Sequence, residues 1–364
     1  MRTYSPFFNM GAGPLTPVDA GGFLGQDEKR TIFTPSAGGA TVTESDGRLP
    51  RYDDLPAADL GGRSGWGLFG PDDSLGLMNQ QTPASVLAAT RLVQRGAVFP
   101  LDAALDAVDP PLAPRRGKPR HTLIRPPGPV TGLDDVYDNF NPQTSSQWDS
   151  LAHVAYSPGA FYNGASEEDV LAGRRNTIDF WARQGIVARA IVLDLARALP
   201  AAGREYRPAP GTAFTVEDLE LARAVTGLTY SPGCVLLLHT GFLGWYLEQP
   251  YQDRADWARN LRAPGVEHTE EMARYLWDSG AMAVASDTFA VEVWPPDRRP
   301  EAFPFGFLHR VLIGQFGMAL GELWQLGDLA ADCADDGVFE CLLTSAPLNG
   351  RGGIGSPPSA LAIK

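Results

Sequence analysis

The sequence predicts a mixed α/β fold, and three observations support the prediction. Helix-start signals alternate with short apolar strand segments from about residue 50 to the end of the chain. The 364 residues are 44% hydrophobic and 20% charged, which is typical of a globular protein with a large core. No self-similar period of roughly 20–50 residues is present, which disfavours a solenoid or a propeller.

The predicted helices begin at polar caps and end near glycines. Thr82 precedes Pro83, Thr215 opens a capping box, and Ser166 precedes three acidic residues, all of which favour a helix N-terminus. The predicted helices cover residues 83–96, 166–183, 215–227 and 269–280. The predicted strands are apolar runs that follow these helices. They cover residues 97–101, 187–193, 234–239, 281–286 and 360–363.

The chain divides into an N-terminal extended arm, residues 1–49, and one remaining domain, residues 50–364. The arm is rich in Gly, Pro, Thr and Ser and shows no period of 2 or 3.6. It contains four Phe, whereas disordered tails are poor in aromatic residues, so we expect it to pack on the body or on a neighbouring subunit. The Gly/Pro-rich run at residues 350–358 is either a linker or an ordered loop, and the apolar residues after it favour the loop.

Charge and cysteine content exclude several classes of function. The formal net charge is −13, the wrong sign for binding nucleic acid or an anionic membrane surface. Cys234, Cys333 and Cys341 are an odd number without a C-x-x-C pair, so neither a disulfide framework nor a thiolate zinc site is indicated. We expect them to be buried apolar fillers. Without a signal peptide or an apolar run of about 18 residues, a cytoplasmic location is expected.

Common nucleotide and hydrolase motifs are missing. Trp66 stands where the second glycine of a G-x-S-x-G elbow is needed. Gly11, Ala12 and Gly13 follow no predicted strand and precede no predicted helix, and no Walker A sequence occurs, so no nucleotide cofactor is expected.

Five histidines are present, and His153 is the most informative because it follows Asp149 by four residues. In an extended segment Gln147 and Asp149 point to the same side, so an amide, a carboxylate and an imidazole can converge. Taken alone, such a group is either a structural hydrogen-bonded pair or a site.

The segments around His153 are similar to the signature of the cyclase family, which includes metal-dependent kynurenine formamidases and isatin hydrolases. The resemblance extends over about residues 50–364 and leaves the arm outside. Its matching segments include Phe140-Asn141-Pro142-Gln143, Gln147-Trp148-Asp149, Phe161-Tyr162-Asn163-Gly164, Leu308-His309-Arg310 and Gly321-Glu322-Leu323-Trp324.

The resemblance implies a single domain of the swivelling β/β/α type, with a central mixed sheet or barrel flanked by helices, assembled as a homodimer or a higher homo-oligomer. Metal-binding members carry the motif H-x-G-T-H-x-D-x-P-x-H and a distant His and Glu. Asp149 and His153 match the Asp and the last His, and His309 and Glu322 match the distant pair. Gln143 and Gln147 replace both early histidines.

These replacements change the expected metal chemistry. Imidazole is a good zinc ligand, whereas a carboxamide oxygen is a weak, hard ligand that suits Mn²⁺ or Mg²⁺ better. With Gln147, Asp149, His309 and Glu322 as the implied ligands, the site holds either one weakly bound divalent metal ion (Mn²⁺, Mg²⁺ or Zn²⁺) or none.

The resemblance implies an enzyme that hydrolyses the C–N or C–O bond of a small cyclic or aryl amide or lactone. His153 would act as general acid–base, with Glu322 and Asp149 as the other catalytic groups. The residues expected to contact the substrate are Gln143, Trp148, Tyr162 and His239. For His239 the alternative is a hydrogen-bonded residue at a strand end.

Two other functions stay open at this point. One is a metal-free cyclase, dehydratase or isomerase that acts on a polyketide-like natural-product intermediate, and the two Gln favour it. The other is a binding protein built on an inactive enzyme fold, which is disfavoured because four polar residues of the motif are retained.

Overall fold

The computed structural model describes residues 49–208 and 211–364, so the predicted arm lies outside the described residues except for Leu49. The strands of the described residues are β1 Val98–Pro100, β2 Arg120–Ile124, β3 Asp134–Asp138, β4 Gln147–Asp149, β5 Ile186–Asp194, β6 Ala213–Phe214, β7 Val235–His239, β8 Gly265–Val266, β9 Ala283–Ser286, β10 Ala319–Glu322, β11 Glu340–Ser345, β12 Gly355–Ser356 and β13 Ala360–Ile363. Their α-helices are α1 Pro83–Thr90, α2 Glu167–Leu171, α3 Asp179–Gln184, α4 Leu195–Ala201, α5 Val216–Thr226, α6 Phe242–Glu248, α7 Tyr251–Arg259, α8 Glu270–Asp278, α9 Leu308–Leu312 and α10 Gly327–Asp336.

A curled nine-stranded mixed sheet forms the centre of the domain, in the order β1-β13-β11-β5-β7-β9-β10-β4-β12. Its middle strands β5, β7, β9 and β10 are parallel. They are continuous apolar runs because helices cover both faces of such strands. The predicted single α/β domain with a central mixed sheet flanked by helices is therefore confirmed.

The parallel strands bring their carboxyl ends to one edge of the sheet. Asp194 is paired with His239 at the ends of β5 and β7, and Glu322 ends β10. The short strand β4 pairs antiparallel with β10, which places Gln147 opposite Glu322. Asp149, His239 and Glu322 thus enter the fold at strand ends.

The Gly/Pro-rich segment near the C-terminus is an ordered loop and not a linker. Strand β12 pairs with β4, with Gly355 opposite Asp149, and β13 pairs with β11 and β1. A side chain at Gly355 would collide with Gln143, so only glycine allows this close approach.

Most predicted helix starts agree with the structure, but one predicted helix is wrong. Thr82 and Thr215 form capping boxes, and Gly227 ends α5 in the left-handed region. The helix predicted over residues 166–183 is two helices, α2 and α3. The break contains Gly173 and Asn176 with positive φ, and a Cβ at Gly173 would lie 3.1 Å from Gly352. The helix predicted over 83–96 ends at Thr90.

The core packs between the sheet and its helices. All three cysteines are buried within it and free, as predicted. Among residues 49–208 and 211–364, no helix is both long enough and apolar enough to span a membrane.

Candidate active site

Four polar side chains meet where β4 and β10 lie side by side. Asp149 ends β4, and His153 follows it by four residues. Glu322 ends β10, and His309 lies in α9. Ligand atoms of Asp149, His309 and Glu322 all lie within 4.8 Å of one another. Because residues two apart in a strand share a face, Gln147 and Asp149 both face this group.

His309 is held from behind by a buried carboxylate, Glu292. Oε1 of Glu292 lies 2.5 Å from Nδ1 of His309 and accepts the backbone N–H of His309 at 2.9 Å. Oε2 accepts the backbone N–H of Leu308 at 2.6 Å. Nε2 of His309 therefore faces the other two acids, at 2.9 Å from Oε1 of Glu322 and 3.8 Å from Oδ2 of Asp149. A carboxylate behind a histidine is common where the histidine binds a metal ion.

The two acids of the site have opposite proton affinities. Burial and the negative charge of Asp149 raise the pKa of Glu322 to about 7. Burial alone would also raise the pKa of Asp149, but His153, His309 and Arg116 outweigh it and lower that pKa to about 2. Near neutral pH, Asp149 is ionised and Glu322 can exchange a proton.

His153 forms the more open side of the group, with 18% of its side chain exposed. Burial lowers its pKa, so the imidazole is neutral at pH 7. The amide nitrogen of Gln143 lies 3.2 Å from Nδ1 and can only donate, which leaves the proton of the neutral ring on Nε2. Nε2 lies 3.8 Å from Oδ2 of Asp149.

Gln143 and Gln147 both turn their amide nitrogens toward the acids. Gln143 donates to Asp149, and Gln147 donates to Oε2 of Glu322 at 2.5 Å. The amide oxygen of Gln147 accepts from the guanidinium of Arg116 at 3.1 Å. Because Arg116 can only donate, it fixes this orientation of the amide. In this arrangement the amide oxygen of Gln147 faces Arg116 and not the two acids, and its role as a metal ligand stays a prediction.

The remaining three groups fit a divalent cation. Oδ2 of Asp149 is buried and has no hydrogen-bond partner among the described residues. One imidazole nitrogen and two carboxylate oxygens form a mixed donor set that accepts Mn²⁺, Mg²⁺ or Zn²⁺. Asp149, His309 and Glu322 can therefore hold a metal ion, and the donor set does not identify the metal.

Two residues expected to contact the substrate lie in the core instead. Trp148 points to the opposite face of β4, is fully buried against Trp324 and donates to Ser345 at 3.0 Å. Tyr162 is fully buried and donates to Asp73 at 3.1 Å. Both predictions are wrong because large aromatic side chains near a motif also serve as core residues.

His239 lies at the carboxyl edge of the sheet, with Nδ1 2.8 Å from Asp194. This contact agrees with the alternative interpretation of His239, namely a hydrogen-bonded residue at the end of a strand. Burial opposes protonation of His239, but Asp194 and Asp287 outweigh it and raise its pKa.

Gln143 lies in the site, in contact with both Asp149 and His153.

A cavity of about 570 Å³ is lined by residues between 294 and 310, and none of the four site residues lines it. Trp294, Phe307 and Arg310 are among its lining residues. The ring of Phe307 stacks on the imidazole of His309, with centroids 5.0 Å apart and planes 9° apart. Phe307 therefore contacts both this cavity and the imidazole of His309.

Sequence reasoning missed Arg116, Glu292 and His268. Arg116 lies in a Pro/Arg-rich segment that carries no catalytic pattern, and Glu292 lies 17 residues before its partner His309. His268 is only 10% exposed and lies 3.0 Å from Oε2 of Glu292. The sequence offered one signal, and it concerned Glu292. An acidic residue within an apolar run needs a partner when it is buried.

Comparisons with known proteins find a matching family model and solved structures of similar fold. A family model described as "Putative cyclase" matches residues 83–293. A solved structure described as a novel cyclase is 28% identical, with a TM-score of 0.72, and the match covers 83% of this chain and 99% of that chain. No protein with a curated description matches the chain.

Two isatin hydrolases A share the fold at lower identity. The enzyme from Labrenzia aggregata, bound to benzyl benzoate, is 19% identical with a TM-score of 0.50, over 77% of this chain and 96% of that one. The enzyme from Ralstonia solanacearum is 19% identical with a TM-score of 0.50, over 78% and 98%. The family model spans more than half of the chain, and the chain therefore belongs to the cyclase family.

Proposed function

We propose that this protein is an enzyme that hydrolyses a small cyclic or aryl amide or lactone. The observation that carries the proposal is the buried group of Asp149, His309 and Glu322 next to the partly exposed His153. Membership of the cyclase family and the likeness of its fold to that of isatin hydrolases support a hydrolytic reaction at this group.

His153 is the proposed general acid. Its neutral ring carries a proton on Nε2. His153 is the partly exposed member of the group, so a substrate that enters from solvent contacts it first. The Nε2–H group donates a hydrogen bond to the leaving nitrogen or oxygen, and the proton that this atom takes up is the one that Glu322 removes from the attacking water, passed on through the ring so that no imidazolate forms. Asp149 stays ionised, and its negative charge, 3.8 Å from Nε2, favours the protonated ring during this transfer.

Glu322 is the proposed proton acceptor. A carboxylate whose pKa is about 7 binds a proton more readily than an ordinary one and is still ionised in part at neutral pH. It can therefore remove a proton from the attacking water. The imidazole of His309, 2.9 Å away, holds one oxygen of this carboxylate in place.

Asp149, His309 and Glu322 would hold a divalent metal ion, which when bound supplies polarisation of the carbonyl and a more acidic water. The chain's own residues still have to orient the substrate and deliver the proton to the leaving group. Phe307, which stacks on the imidazole of His309, offers an aromatic surface next to the site for the aryl part of the substrate.

A metal-free cyclisation, dehydration or isomerisation is the second candidate. The orientation of both Gln amides favours it, because their N–H groups satisfy Asp149 and Glu322 as a cation would. Arg116 adds a fixed positive charge beside Gln147. Such a site can move protons between Glu322 and His153 without a nucleophilic water.

The two candidates are tested by turnover of three small substrates, namely isatin, N-formylaniline and dihydrocoumarin, with and without added Mn²⁺. We expect at least one to be hydrolysed. Glu322→Gln should reduce kcat/KM by about 10²–10⁴-fold, as expected for loss of a general acid–base group. Glu168→Gln removes a carboxylate that is 85% exposed in α2, so it should stay near wild type. Equal loss in both variants would contradict the assigned role of Glu322.

A further inference from the structure

The cavity lined by residues between 294 and 310 carries an excess of positive charge. Among the described residues, its lining includes three arginines, Arg298, Arg299 and Arg310, and one carboxylate, Asp297. The chain as a whole has a net charge of −13. A basic cavity in an acidic protein favours an anionic ligand, because the low dielectric of its walls concentrates the positive potential.

Two of these arginines lack an acidic partner in the part of the chain that the structure describes. Arg299 is paired, since its Nε lies 2.9 and 3.0 Å from the two carboxylate oxygens of Asp297. Arg298 and Arg310 form no ion pair and no side-chain hydrogen bond with any described residue, and Nε of Arg310 is buried. A buried donor without an acceptor costs free energy, so an anion in the cavity would stabilise Arg310.

Aromatic rings form the apolar part of the same cavity. Trp294, Phe303 and Phe307 line it. The guanidinium of Arg310 lies over the ring of Phe303, with its central carbon 4.8 Å from the ring centroid. A guanidinium stacked in this way keeps its N–H groups at its edge, where a planar carboxylate can accept two of them. The volume of about 570 Å³ lies in the range of small-molecule sites, roughly 300–1,000 Å³.

Backbone hydrogen bonds hold the wall of the cavity in shape. The N–H of Asp297 donates to the carbonyl oxygen of Gly306 at 2.7 Å, and the N–H of Gly306 donates to that of Ala302 at 2.6 Å. A Cβ at Gly306 would collide with the carbonyl oxygen of Asp297, so only glycine allows this closure. Trp294 is joined to Ala263 by two backbone hydrogen bonds, of 3.0 and 3.2 Å. A wall that is formed before the ligand arrives lowers the ordering cost of binding.

We propose that this cavity binds a small aromatic carboxylate. Arg310 is the partner of the carboxylate, and the rings of Trp294, Phe303 and Phe307 contact the aryl group. The cavity is a second site, because none of the four residues of the candidate active site lines it. Binding there does not require the hydrolysis proposed above.

The test is equilibrium binding of benzoate and of 2-naphthoate to the full-length protein, measured by calorimetry at neutral pH. Each acid should bind at one molecule per chain. Benzamide has the ring without the charge, and inorganic phosphate has the charge without the ring. Both should bind about tenfold or more weakly than the acids, since each loses one of the two contributions. These measurements involve no turnover, so their outcome is independent of whether any amide or lactone is hydrolysed.

Two variants test the residues that contact the ligand. Arg310→Gln removes the charge and keeps much of the side chain, so it should weaken benzoate binding about tenfold or more. Arg310→Lys should recover only part of the loss, because an ammonium lacks the planar pair of donors. Phe303→Leu replaces a ring that is 44% exposed and should weaken binding about two- to tenfold.

Two further variants serve as controls. Arg91→Gln makes the same change as Arg310→Gln at an exposed arginine that follows α1. Glu322→Gln changes the candidate active site and leaves the cavity intact. Both should bind benzoate like the wild type. Circular dichroism and a thermal melt show whether each variant is folded.

Three results would overturn the proposal. The first is a wild type that binds neither acid, or that binds phosphate as tightly as benzoate. The second is a folded Arg310→Gln variant with wild-type affinity, and wild-type affinity in Phe303→Leu has the same meaning if Arg310→Gln does not fold. The third is loss of binding in Glu322→Gln and not in Arg310→Gln, which would assign the acid to the candidate active site.

Discussion

Nε2 of His309 lies 2.9 Å from Oε1 of Glu322, while Nδ1 of the same ring lies 2.5 Å from Glu292. A neutral imidazole cannot donate to both carboxylates, since it carries one proton. His309 is therefore an imidazolium, or a protonated Glu322 donates to its Nε2, or Nε2 shares a cation with Glu322. Burial opposes the imidazolium, but contacts with Asp149, Glu292 and Glu322 outweigh it and raise the pKa of His309 well above its usual range.

Metal binding should therefore be weak in the wild-type protein. A proton on His309 competes with the ion, and neither Gln offers its oxygen. We expect less than one zinc per chain as isolated, measured by elemental analysis of the purified protein. Tightly bound zinc at one per chain would contradict this expectation.

Restoring imidazoles should strengthen metal binding. Gln143→His with Gln147→His adds two nitrogen ligands beside Asp149, and imidazole binds transition metals better than an amide does. Calorimetry should show tighter binding of Zn²⁺ or Mn²⁺, and Asp149→Asn in the same background should reverse the gain. An unchanged affinity would mean that the two positions do not converge on Asp149 in solution.

His153→Ala should reduce kcat by about 10²–10⁴-fold because the leaving group then lacks its proton donor. Among the described residues, the polar partners of the side chain are Gln143 and Asp149, so the melting temperature should change little. Activity within about threefold of wild type would remove His153 from the mechanism.

Glu292→Gln tests a residue that acts through His309. The amide cannot accept all the bonds that the carboxylate accepts from Leu308 and His309, so the ring loses its orientation. We expect a decrease of about 10–100-fold in activity or metal affinity, carried by kcat more than by KM. Glu292→Asp should recover part of the loss. A fall in melting temperature without a change in kcat would indicate a purely structural role.

His239 should make stability depend on pH. Its pKa is raised in the folded protein, chiefly because Asp194 and Asp287 outweigh burial. Protonated His239 therefore stabilises the fold fully below pH 6.5, the usual value, and this contribution is lost as pH rises through the folded pKa. Thermal melts across this range should show a smaller decline in His239→Gln than in wild type. An identical decline in both would contradict the assignment.

The sequence predicted which polar residues lie close together better than it predicted the residues around them. Asp149, His153, His309 and Glu322 follow from the family motif, and their convergence depends on the β4–β10 register. Glu292 and Arg116 could not be predicted, because their roles depend on contacts 17 and 31 residues along the chain. Trp148 was misplaced although strand alternation puts it on the opposite face from Asp149.

Secondary structure was predicted best where local caps decide it. Thr215 and Gly227 bound α5 as expected, since both act within a single turn of helix. The hairpin of β2 and β3 was missed because its strands are polar and fully exposed, so no apolar alternation marks them. The break between α2 and α3 depends on close packing of Gly173 against Gly352, which no local pattern reveals.

The most direct test of the central claim is product analysis by mass spectrometry after incubation of the same three substrates in H₂¹⁸O. The proposed hydrolysis predicts a ring-opened or cleaved product with one ¹⁸O in the new carboxyl group, formed by wild type and nearly absent with Glu322→Gln. A product of unchanged mass without ¹⁸O, or ¹⁸O incorporation that persists at the wild-type rate in Glu322→Gln, would contradict it.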